Sequence, residues 1–82
     1  MDAKQHGHLT HALDYTQKAI DRTNQFDGEL SPIQRAAHAL GLTGVVEKVS
    51  SARLQNSETH TNLRIVLNHL QSIEQIEAEG EE

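Results

Sequence analysis

Cysteine and tryptophan are absent from the 82-residue chain, which has a single proline, a single tyrosine (Tyr15) and a single phenylalanine (Phe26). Without cysteine there is no disulfide to staple a small fold, no thiolate zinc cluster and no thiol nucleophile. Two aromatic rings are too few for the stacking platforms on which single-stranded nucleic acid binds. No apolar run approaches the roughly 18 residues that span a bilayer, and the opening stretch MDAKQHGHLTH lacks the apolar segment of a secretory leader. The expectation is a cytoplasmic protein with no membrane partner. GxSxG, HExxH and GK[ST] are all missing, and no carboxylate pair marks a cleft, so the chain reads as a non-enzyme without cofactor or metal.

Large apolar side chains are scarce as well. Leu, Ile, Val and Phe number 19 of 82 residues, just above the level of roughly 20% below which chains tend to be disordered. A 9.1 kDa chain buries only about 60–65% of its unfolded surface. The core is therefore thin, and self-association into a homo-oligomer, a dimer or larger, is the expected way to complete it.

Positive charge is the other shortage, with 7 Lys and Arg against 12 Asp and Glu. Residues 30–73 carry four bases and two acids, whereas 74–82 carry five acids and no base. The ending EQIEAEGEE reads as a solvated acidic end, with 79–82 as a tail and 1–7 as a flexible N-terminus around one helical domain, 8–78.

What is present is helical periodicity. Leu9, Ala12, Leu13, Thr16, Ala19, Ile20 and Thr23 fall on one stripe, predicting a helix over 8–25 that stops near Gly28. Ser31, Pro32 and Gln34 form a capping-box pattern with proline at the first helical position, predicting a short second helix over 32–40. The apolar phase then slips across GLTG, so a third helix over 44–55 follows a glycine corner, with Thr43 as its cap. Asn56 and Ser57 punctuate the chain before a fourth helix over 58–78, with Leu63, Val66, Leu67, Leu70 and Ile73 inward. The expected fold is all-α, a small four-helix bundle-like domain.

The segment Ser31 to Leu54 resembles a helix-turn-helix in outline. Ala37 stands four positions before Gly41 and Leu42 follows it, as docking requires. The sixth and ninth positions after the glycine are Glu47 and Ser50, however, and the apolar pair is displaced to Val46 and Val49. Gly44 weakens the third helix further. A dimeric DNA-reading regulator would use Lys48, Ser50, Ser51, Arg53 and Gln55. Net charge disfavours that alternative, since duplex binding depends on several cation–phosphate contacts.

Two further features stand out. On the predicted fourth helix Ile65 and Ile76 lie opposite the core stripe with His69 between them, predicting a second contact face for a partner or another subunit. Six histidines are the second feature. His8 and His11 are three residues apart, lacking the i, i+4 spacing of strong zinc motifs. Together with Tyr15, Lys18 and Arg22 they form a strip placed to hold a small anion at a subunit interface. Thr59, His60 and Arg64 form a lesser candidate at the expected start of the fourth helix, where free N–H groups favour anions. The combined expectation is a non-enzymatic interaction module, a small inhibitor or adaptor that binds another protein; the alternatives are the DNA regulator and a capture protein for a small anionic ligand such as a nucleotide.

Overall fold

The structure, a computed structural model, describes residues 1–80. It is all-helical among those residues but has two helices rather than four: α1 (Ala3–Ala39) and α2 (Thr43–Gly80). A 37-residue helix is about 55 Å long, and the molecule measures 62 × 15 × 14 Å. The helices therefore lie side by side over nearly their whole length, as an antiparallel hairpin.

The seam explains why the expected breaks do not form. In α1 the residues turned inward are Leu9, Leu13, Thr16, Ile20, Thr23, Asp27, Leu30, Gln34 and Ala37, all buried or half-buried and separated by steps of four and three. In α2 they are Val46, Val49, Arg53, Asn56, His60, Leu63, Leu67 and Leu70, in the same rhythm. This is the a/d heptad of a coiled coil, running unbroken through Gly28–Ser31 and through Asn56–Ser57.

The capping-box reading of Ser31 fails because tertiary bonds hold the chain helical on both sides of it. Asp27 receives Arg53 at 2.9 Å, and Gln34 donates to the Ser50 hydroxyl at 2.8 Å. Gly28 keeps a negative φ and terminates nothing. Pro32 sits inside α1 on the outward column, where the carbonyl left without a partner can face water. Asn56 likewise does not break the chain; its side-chain amide donates across the seam to the Thr23 carbonyl at 2.7 Å.

The one break that does form is the glycine corner. Gly41 adopts φ +68°, the Leu42 N–H donates to the Ala37 carbonyl at 3.0 Å and the Gly41 N–H to the His38 carbonyl at 3.1 Å. These are the two bonds of a Schellman motif with glycine in the left-handed position. Thr43, expected as a cap, is instead the first residue of α2.

At the other end the first helix begins earlier than its apolar stripe. Asp2 accepts from the Gln5 N–H at 2.8 Å while the Gln5 side chain accepts from the Asp2 N–H at 3.1 Å, a reciprocal capping box. Residues 3–7 are thus helical. At the acidic end Glu79 and Gly80 still belong to α2; Glu81 and Glu82, the rest of the expected tail, lie outside the described residues. No helix among the described residues is long and apolar enough to cross a membrane.

Candidate interaction surface

The middle of the seam is polar. Thr23 is buried, and its hydroxyl lies 2.7 Å from the Ile20 carbonyl and 2.7 Å from His60 Nδ1. A hydroxyl has one hydrogen. With that hydrogen on the Ile20 carbonyl, His60 donates through Nδ1, leaving Nε2 as its acceptor. One turn further along, Arg53 donates from Nε and Nη2 to Asp27 and from Nη1 to Gln34 at 2.7 Å. The hydrogen bond from Arg53, with its charge attraction, holds the Asp27 carboxyl below its ordinary range against the opposing effect of desolvation, and Asp27 in turn raises the Arg53 guanidinium. No buried side-chain nitrogen or oxygen among the described residues lacks a partner, as a stable polar layer requires.

The two flanks of the seam differ sharply. On one flank lie the e positions of both helices. Gln17 and Asn24 of α1 and Ser57, Arg64 and Gln71 of α2 line adjoining grooves with His60 between them. Over this stretch the e positions are polar. The g positions therefore lie together on the opposite flank: Ala12, Ala19, Phe26 and Ile33 from α1 with Leu40 at its C-cap, and Val45, Ala52, Thr59, Val66 and Ile73 from α2. Nine of these ten residues are apolar, and every large one is exposed. The stripe on α1, from Ala12 to Leu40, is about 42 Å long.

The structure treats the sequence candidates unequally. Ile65, His69 and Ile76 all lie exposed on the outer side of α2, with Ile65 50% and Ile76 64% accessible. Ile76 stands one column from Ile73, so the apolar flank continues onto this strip. Lys48, Ser50, Ser51, Arg53 and Gln55 do not share a face. Arg53 and Ser50 are bonded to Gln34 across the seam, Ser51 donates back to the Glu47 carbonyl at 3.1 Å, and Lys48 and Gln55 project on a different column.

His8, His11, Tyr15 and Arg22 line the outer side of α1, where the His11 and Tyr15 rings are 4.7 Å apart. Lys18 reaches over Tyr15 at 5.0 Å and pairs with Asp14 at 3.0 Å, so the strip's central cation already has a carboxylate. Thr59 is separated from His60 and Arg64: it lies on the apolar flank, and they line the polar one. The free N–H groups expected beside them do not exist, because residues 56–64 are in the interior of α2. Among the described residues no three His, Asp or Glu converge as metal ligands.

Sequence reasoning did not find the apolar flank. Its signal is the seven-residue spacing of Phe26, Ile33 and Leu40 on one helix and of Val45, Ala52, Val66 and Ile73 on the other, visible only once each helix is known to be continuous. Comparison with protein-family models, with curated proteins and with solved structures gives no match.

Proposed function

We propose that the protein is a non-enzymatic helical interaction module, of the inhibitor or adaptor kind, that acts by laying its apolar flank and the adjoining Ile65–His69–Ile76 strip against another helical surface. One observation carries this reading: six exposed large apolar side chains, Phe26, Ile33, Leu40, Val45, Val66 and Ile73, gather on one flank of the hairpin, whereas on the opposite side Leu54 is the one large apolar side chain exposed from either helix among the described residues. Scattered exposed apolar residues are ordinary, but a continuous apolar stripe of this length marks a contact surface. The DNA-reading alternative loses Arg53 to Asp27 and Gln34.

A photo-crosslinking amino acid placed at Phe26 or Ile73, with Asn24 or Gln71 as polar-flank controls, tests the reading in the protein's own cells. The expected result is a discrete adduct from Phe26 and Ile73 alone, abolished by Ile33→Asp. Adducts of equal yield from both flanks, or adducts unaffected by Ile33→Asp, would remove it.

A further inference from the structure

We propose that the apolar flank is closed by a second copy of this chain, packed flank to flank with the two turns at opposite ends, to form a four-helix bundle. The inference rests on the interaction-module reading and names the partner.

Surface area is the first argument. The hairpin exposes 6139 Å², whereas a compact monomer of 9.1 kDa exposes about 4,900 Å². The excess is roughly 1,200 Å², and a stable dimer takes about 800 Å² from each partner. The radius of gyration of 18.4 Å, against about 12 Å for a compact domain of this length, reflects the same incompleteness.

The repeat pattern is the second argument. A two-helix seam needs apolar residues only at a and d; a helix in the core of a bundle needs a third column, at e or g. Both helices carry that third column, and both carry it at g. In an antiparallel hairpin this choice brings the two columns to the same flank, which suits a face meant to be covered as one unit.

The flank also bears on its own symmetry. A two-fold axis relates a surface to itself, so the flank has to be complementary to its own rotated copy, which large residues meeting small ones away from the axis achieves. Phe26 and Thr59 lie at about the same height, beside the Thr23–His60 contact. A two-fold axis at that height sets Ala19 against Ile33 and Ala12 against Leu40 between the two α1 helices. Between the two α2 helices it sets Ala52 against Val66 and, at the ends, Val45 against Ile73, while Phe26 meets its own copy at the axis. The same rotation brings Arg22 to Glu29 of the second copy, twice. Neither residue has an ion-pair partner within the chain among the described residues. Ile65 stays outside this interface and remains available to a target.

Light scattering behind a sizing column, on the full chain over a range of concentrations, tests the proposal. Wild type should give twice 9.1 kDa, Phe26→Glu with Ile33→Glu should halve that mass, and Ile65→Asp should leave it unchanged. Because the double variant can unfold, a surface charge swap supplies a second test. Arg22→Glu should weaken self-association several-fold, and adding Glu29→Arg should recover it. A wild type that stays monomeric at millimolar concentration overturns the second copy; if Phe26 then crosslinks a foreign polypeptide, the interaction-module reading stands, and if it crosslinks nothing, both fall. A dimer indifferent to Phe26→Glu/Ile33→Glu overturns the choice of flank. Failure of the charge swap to recover association overturns the opposed arrangement of turns.

Discussion

Arg53 spans the seam to hold Asp27 by two nitrogens, Nε at 2.9 Å and Nη2 at 3.3 Å, at positions where a coiled coil ordinarily packs leucine or isoleucine. The pair is only partly shielded, with side-chain exposures of 36% for Arg53 and 47% for Asp27. Its value is geometric: it permits one alignment of the helices, whereas an apolar residue tolerates several.

Asp27 also gives the hairpin an acid limit. Its folded pKa lies below the ordinary 3.8, so its contribution to stability is complete above that value and is lost as the pH falls through the lower folded value. Asp27→Asn should lower Tm at neutral pH and converge with wild type in strong acid. High salt should shrink the neutral-pH difference, since the pair is exposed to screening. Parallel curves with a constant offset down to strong acid would count against this assignment.

Pro32 tests the continuity of α1. In a helix interior proline costs about 3 kcal/mol relative to alanine, so Pro32→Ala should raise the urea midpoint by up to that equivalent. At the first position of a separate second helix, proline is favourable, and the same substitution would leave the midpoint unchanged or lower it.

Gly41 holds a left-handed conformation with open space around the position a Cβ would take. Gly41→Ala should therefore destabilise by about 1 kcal/mol through backbone strain alone. Gly41→Asn should recover part of the loss, because asparagine tolerates that region better. Equal losses for both would point to a side-chain clash instead.

Thr23→Val removes the hydroxyl facing His60 Nδ1 without changing the shape of the seam. The expected loss is about 1 kcal/mol, the ordinary net value of a hydrogen bond, plus any cost of the ring nitrogen left without its partner. Thr23→Ser should retain most of it. In the nitrogen-15 spectrum, the His60 ring should report a protonated Nδ1 in wild type and a redistributed tautomer in Thr23→Val.

The helical class, the apolar stripe from Leu9 to Thr23 and the glycine corner were legible from spacing alone, because Leu, Ile and Ala mark the period and Gly41 marks the turn. The continuity of each helix was not. Extending the four-three rhythm beyond Thr23 lands on Asp27, Leu30, Gln34 and Ala37, and beyond Val49 on Arg53, Asn56 and His60. Five of those seven residues are polar, and polar residues in sequence look like solvent-facing ones. Their partners lie 16 to 37 residues away, out of reach of any local window. Ser31 and Asn56 misled for the same reason: both carry strong local end signals that packing overrides. The exposed strip at Ile65, His69 and Ile76 needed no partner to be seen, and the structure leaves it on the surface.

The tight turn at Gly41 sets the order in which the molecule assembles. Beside it, Ala37 and Val46 meet after closing a very short loop, whereas contacts at the far end, near Leu9 and Leu70, enclose most of the chain and carry a larger closure entropy. Folding should therefore proceed as a zipper from the turn towards the termini, crossing the polar layer at Asp27, Thr23 and their partners before it reaches the leucine-rich end. That layer is exacting, because its bonds form only between matched partners. A chain that has zipped past it has already chosen its register, so the leucines beyond it close on a frame that no longer slides.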